Sequence, residues 1–151
     1  MTLDQVFSIT GTIAMAGWVI LAVAPRRWPV LNALPRLVLP AVLSLFYAAY
    51  IFAFFAESGG SYDSLADVRQ LFTLDELLLA GWIHYLAFDL MIGAYLADRL
   101  DRVGIGRLLQ LPVLAATLFF GPVGVILALC MEGSVRFVSF NTRGLAHVRV
   151  L

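Results

Sequence analysis

Four apolar stretches, each about as long as a bilayer crossing, dominate this chain and constrain its fold more than any other feature. A hydrocarbon core of about 30 Å needs about 20 residues of helix. The stretches run from Leu3 to Ala24, Arg36 to Ala56, Leu74 to Ala97 and Leu108 to Met131. Pro25-Arg26-Arg27 closes the first and Asp98-Arg99 the third. Pro40 falls in the first turn expected for the second, where a missing backbone N–H costs least. The composition agrees, with 62% hydrophobic and 13% charged residues. Soluble domains carry about 45–50% apolar and about 25% charged residues. In lipid the backbone has no hydrogen-bond partner except itself, so such stretches form helices. The expectation is an all-α integral membrane bundle, a single domain of four transmembrane helices, followed by a tail from Glu132 to Leu151 that reads as irregular or partly strand-like.

Charge excludes some functions and suggests an orientation. Ten basic and ten acidic residues cancel, which argues against a nucleic-acid partner. All the basic residues are Arg. Arg26, Arg27 and Arg36 fall between the first and second stretches, and Arg99, Arg102 and Arg107 between the third and fourth. The positive-inside rule places both loops in the cytoplasm and both termini outside. Arg136, Arg143 and Arg149 in the tail disagree with that placement. The opening residues carry Asp4 and no base, unlike a signal peptide. We therefore expect a bacterial inner-membrane protein inserted by its own helices. Cys130 has no cysteine partner and reads as a small packed hydrophobe. His147 in the tail reads as an exposed histidine.

The connection from Glu57 to Thr73 is the one substantial loop. Ser58-Gly59-Gly60-Ser61 reads as a turn. Leu65, Val68, Leu71 and Phe72 then recur at helical spacing, as a short interfacial helix would, with an ordered loop as the alternative. Ser8, Thr12 and Ala16, and also Gly93 and Ala97, repeat at the four-residue spacing that lets membrane helices approach closely. Gly121-Pro122-Val123-Gly124 predicts a kink in the fourth helix. Thr117 is placed to satisfy the backbone groups that Pro122 frees. Such a kink either opens a pocket against a neighbouring helix or only improves packing.

Chemistry concentrates in the third stretch, in the run Gly81-Trp82-Ile83-His84-Tyr85-Leu86-Ala87-Phe88-Asp89-Leu90. A carboxylate near the middle of a spanning helix costs ~2.5–3.5 kcal/mol on insertion scales, so it normally faces protein, water or a ligand. At 100° per residue Asp75, Trp82, Tyr85 and Asp89 share one stripe. Tyr85 and Asp89, four apart, can hydrogen-bond. His84 lies about 140° from Asp89 by the same 100° spacing and shares its face with Leu77, Phe88, Met91 and Tyr95. Asp89 is then either a buried anchor bonded to Tyr85 or to another helix, or a functional acid. No His-x-x-x-His or Glu-x-x-His spacing occurs around it, and we expect no metal.

The same run, followed by Gly93, resembles the hallmark of the abscisic-acid-deficient-4-like membrane family. The likeness extends over most of the chain and includes Leu111-Pro112, Thr117 and Gly121-Pro122-Val123-Gly124 on the last helix. The plant members are tied to neoxanthin synthesis from violaxanthin, and relative to them this chain has no plastid-targeting extension. The resemblance implies an isomerase for an epoxy-carotenoid or another isoprenoid lipid. Converting a 5,6-epoxide end group to an allenic alcohol changes no redox state and requires no cofactor, only an acid and a base. Asp89 would be the acid/base residue, His84 its complement and Tyr85 the orienting group. Trp82, Phe88, Tyr47, Tyr50, Thr117 and Pro122 would line the substrate. A non-catalytic carotenoid- or lipid-binding accessory protein, working with biosynthetic enzymes or as a homo-oligomer, is the alternative. A small transporter fits less well, because one helix carries all the embedded charge.

Overall fold

The computed structural model describes the backbone of residues 1–148, and side chains as far as Phe140 with Ser139 excepted. The exposure expected of His147 falls outside the described side chains. Within these limits the chain is helix and connecting turn, with no strand. It falls into two compact units, Met1–Met91 and Ile92–Leu151. Three helices are long and apolar enough to cross a membrane: α1 (Leu3–Val23), α2 (Pro29–Glu57) and α4 (Asp75–Arg102).

In the first unit, α1 starts at a capping box in which Thr2 accepts from the Gln5 backbone and Gln5 reaches back to Thr2. It stops at Ala24, held extended by the proline that follows. The buried Asn32 side chain ties the turn into α2, donating to the carbonyls of Pro25 and Trp28 at 2.8 Å each. The second helix begins seven residues earlier than its hydropathy suggests, at Pro29 instead of Arg36. Pro40 is therefore well inside it. A π-helical turn, Leu34–Val38, contains Pro35 and ends two residues before Pro40, with Leu39 N–H bonded to Leu34 C=O. The wider turn spares the bond that Pro40 cannot make. Regular α-helix follows from Leu39–Phe54.

The loop after α2 contains the short helix α3 (Leu65–Leu71), capped by the Ser64 hydroxyl on Asp67 N–H at 3.1 Å. The core of this unit joins Val6 and Ala14 of α1, Leu43 of α2, and Leu79, Ile83, Leu86 and Ala87 of α4. Only 11% of the apolar window of α2 is buried, against 56% for α4, so α4 is the central helix and α2 presents most of its surface outward. The buried stripe of α1 is Val6, Thr10, Ala14, Gly17 and Leu21. Ser8, Thr12 and Ala16, expected at a helix contact, are exposed.

In the second unit α4 ends in a Schellman cap: Ile105 N–H bonds Leu100 C=O and Gly104 N–H bonds Asp101 C=O, both at 3.0 Å, with Gly104 at φ 78°. The stretch expected as one kinked span from Leu108 to Met131 is two helices, α5 (Arg107–Phe120) and α6 (Pro122–Val148). They meet at Gly121, whose φ of 45° turns the chain in a way an L side chain rarely tolerates. The chain reverses there: Gly124 lies against Thr117, and Val113 of α5 shares a core with Ala128 of α6. The Thr117 hydroxyl donates to Val113 C=O at 2.8 Å, so it serves its own preceding turn and not the groups around Pro122. Gly93 and Ala97 are buried, as their spacing suggested. Cys130, expected to be packed, is exposed on α6. The tail residues, expected to be irregular, continue α6 to Val148.

A Cβ at Gly124 would stand 1.9 Å from Thr117 Oγ1 and 2.7 Å from its backbone nitrogen. Backbone cannot yield cheaply, so Gly124→Ala is expected to destabilise the protein by about 1–3 kcal/mol. Gly133→Ala, which meets nothing within 4 Å, should leave stability equal or raise it by up to about 1 kcal/mol. Thermal unfolding of the two detergent-solubilised variants checks the contrast.

Candidate functional site

Helix α4 distributes its polar groups over two faces. Asp75, Trp82 and Tyr85 line a cleft of ≈ 800 Å³ together with Asp4 and Phe7 of α1 and Phe72 at the end of α3. The Trp82 ring stacks on Phe7 at 5.8 Å between centroids and leans on Tyr85 at 5.4 Å. The two carboxylates come from the first turns of α1 and α4. One turn further along α4, buried Asp89 accepts a hydrogen bond from the Tyr85 hydroxyl. Its Oδ2 is buried and has no hydrogen-bond partner among the described residues. Asp89 itself does not line the cleft, whereas Tyr85, its hydrogen-bond partner, does. An unsatisfied carboxylate oxygen is costly in an apolar interior, so this position invites a donor that a ligand could bring.

His84 faces a second, smaller cleft of ≈ 290 Å³, with Tyr47, Tyr62, Leu77 and again Phe72 in its wall. The imidazole stacks on Phe88 at 4.4 Å and meets the Tyr47 ring at 5.3 Å. The division of faces read from helical spacing is therefore the one observed: His84 lines one volume and Tyr85, which bonds buried Asp89, lines another. Phe72 and Gly81 belong to both walls. A Cβ on Gly81 would come within 2.7 Å of the Phe72 ring, so the missing side chain is what lets that ring seat between the clefts.

The other expected lining residues are scattered. Tyr50 lies at a third cleft beside Phe54 and Glu76. Phe88 is exposed and serves as the stacking partner of His84. Thr117 and Pro122 belong to the second unit. Among the described residues no three His, Cys, Asp or Glu side chains gather as a metal site requires. Sequence reasoning missed Asp4, Phe7 and Phe72. Each had a faint signal: an acid at the head of an apolar helix, an aromatic one turn on, and the last apolar residue of the amphipathic segment.

The family model described as ABA DEFICIENT 4-like matches residues 5–127, a span that includes all of α4, the smaller cleft, and the lining of the larger cleft from Phe7 onward. No curated protein and no solved structure matches the chain.

The exposed Phe72 ring can swing when crowded, because only its outer atoms meet Gly81. Gly81→Ala is thus expected to shift stability by less than about 1 kcal/mol while narrowing the larger cleft. Affinity for a fluorescent polyene should fall about tenfold, equivalent to about 1.4 kcal/mol. Titration of the polyene into the purified variant, with its melting curve alongside, separates the two effects.

Proposed function

The chain belongs to the ABA DEFICIENT 4-like family, and from that premise we propose that it is a membrane isomerase whose substrate, an epoxy-carotenoid or related isoprenoid lipid, places its oxygenated end group in the larger cleft. The observation that carries this reading is the Tyr85–Asp89 couple, a phenol on the wall of an aromatic cleft backed by a buried carboxylate with one oxygen free. Trp82, Phe7 and Phe72 suit a flat, conjugated, apolar guest, and the exposed apolar helices admit it laterally from lipid.

The chemistry requires one proton to leave carbon and one to reach oxygen. Tyr85 donates its hydroxyl proton to the epoxide oxygen as the C–O bond opens. Asp89 Oδ2 takes the carbon-bound proton as the new double bond forms. The carboxyl group then turns to present that proton to the phenolate, and both groups end as they began. General acid–base assistance of this kind contributes about 10²–10⁴-fold to a rate. The end group must move beyond the cleft that Tyr85 lines to reach buried Oδ2. His84, on the other face, takes no part in this scheme and orients the neighbouring aromatic groups instead.

A second reading is supported by the burial of Asp89 away from the cleft lining. In it the cleft holds a carotenoid or lipid without turnover, for delivery to a biosynthetic partner enzyme, and the carboxylate only anchors Tyr85.

Purified protein supplied with a violaxanthin-type epoxide separates the two. For the isomerase, Asp89→Asn and Tyr85→Phe each lower turnover by about 10²-fold or more and retain the visible absorption band of bound pigment. Turnover at the unmodified rate in both variants overturns the assignment. Bound pigment without any turnover in the parent protein favours the binding reading.

A further inference from the structure

Helix α5 has 14 residues, a length of ~21 Å at 1.5 Å per residue. It is too short to cross a core of about 30 Å, and apolar helices of this length are typically buried, interfacial or re-entrant. The contacts with α6 show where the chain goes next. Residues 113 and 128 would be ~22 Å apart in a continuous helix, yet Val113 and Ala128 share one core cluster. Thr117 and Gly124 touch, one turn on either side of Gly121. The two helices therefore form an antiparallel hairpin with its tip at Gly121.

Polarity sorts along this hairpin. No charged residue occurs from Leu108 to Met131. The tip exposes Phe119, Phe120 and Val123, and the flanks expose Leu108, Leu109, Ile126 and Leu129. The ion pairs of Glu132 lie at the base. Glu132 pairs with Arg99 at the end of α4 and with Arg136 at 2.5 Å. Gln110, fully buried, donates to Asp101 at 2.6 Å and to Ile105 C=O at 2.8 Å. Two backbone hydrogen bonds close the turn itself. Gly121 N–H bonds Thr117 C=O at 2.9 Å, Gly124 N–H bonds Gly121 C=O at 3.0 Å, and Pro122 has no N–H to satisfy.

We propose that α5 and α6 form a re-entrant hairpin whose exposed apolar surface seats among the acyl chains of a single leaflet, entering from the face that carries Arg99, Arg102 and Arg107 and returning to that same face. The ion pair fixes the return, because Glu132 can meet Arg99 only where α4 ends. The Arg99 guanidinium, with Arg136 assisting, holds the Glu132 carboxyl below the usual carboxylate range, so the pair is charged at neutral pH. The chain then crosses the membrane three times. The chain after Glu132, which carries Arg136, leaves from the Arg-rich side. Its conflict with the positive-inside rule, which a fourth crossing creates, disappears.

Cysteine accessibility tests this in a Cys130→Ala background. Gly106→Cys and Gly133→Cys each stand in open space, and Ala66→Cys sits on the exposed surface of α3, in the loop that three crossings assign to the other side of the membrane. In sealed, oriented vesicles of phosphatidylcholine and phosphatidylglycerol, a membrane-impermeant maleimide should label Gly106→Cys and Gly133→Cys from one side and Ala66→Cys from the other. Labelling of Phe120→Cys should be lost from both sides. Gly133→Cys labelled from the Ala66 side overturns the proposal in favour of a fourth crossing. Ready labelling of Phe120→Cys from the Gly106 side overturns it in favour of a hairpin lying outside the bilayer. A fluorescent protein fused after Leu151, bright only in the cytoplasm, supplies an independent measurement. It should report the side that Gly106 occupies, and a signal from the opposite side also overturns the proposal.

Discussion

Every peptide group in the apolar stretches must find its hydrogen-bond partner inside the chain, and the rest of this structure follows from how the chain meets that demand. The demand is easily met within a helix and difficult wherever a helix stops. Each stop is accordingly specific. Thr2 and Gln5 cap the start of α1. Asn32 takes up the carbonyls of Pro25 and Trp28 in the first turn. A Schellman cap at Gly104 closes α4, with Ile105 packed beside Leu100. At Gly121 the reversal is one residue long, and the next residue lacks a donor altogether. Pro25, Asn32, Gly104, Gly121 and Pro122 all stand at or beside these stops.

With the backbone so occupied, chemistry must come from side chains projecting from straight helices. That restricts what one helix can assemble. Residues on α4 separated by three or four positions can cooperate, as Tyr85 and Asp89 do. Residues separated by five cannot, and His84 lines a different cleft from Tyr85, the partner of Asp89. Bringing acid and imidazole together would require a second helix or the substrate itself. The first unit instead gives Tyr85 and His84 separate clefts that share the Phe72 ring as a wall. Phe72 reaches both clefts because Gly81 leaves room for it, so a short helix outside the long ones shapes the volume beside the site.

The two units use small residues for opposite ends. In the first, Thr10, Ala14 and Gly17 give α1 a smooth buried face, with the Thr10 hydroxyl returned to its own helix at 2.9 Å on Val6 C=O. In the second, Gly124 against Thr117 brings two backbones so close that a methyl group would not fit. The first contact joins helices distant in sequence. The second makes a hairpin out of one apolar run, and only a chain reversal distinguishes it from a spanning helix.

Much of this was legible in the residues. Hydropathy determined the helical class and the three long helices, because length and apolarity are properties of one segment. Helical spacing determined the Tyr85–Asp89 pair and its separation from His84, because 100° per residue fixes directions within a helix. Other features waited for tertiary structure. Ser8, Thr12 and Ala16 have the same spacing as a packing stripe but face outward, since periodicity defines faces without saying which one meets a neighbour. Helix α2 starts at Pro29 because a π turn accommodates Pro35 and ends before Pro40, and hydropathy cannot register that. Asp4, Phe7 and Phe72 join the cleft from other elements, through contacts distant in sequence. The fold-back at Gly121 turns on the sign of one φ angle. Glycine permits either sign, so the sequence marked where the chain could turn, and the packing of Val113 on Ala128 with the pairing of Glu132 and Arg99 decided that it does.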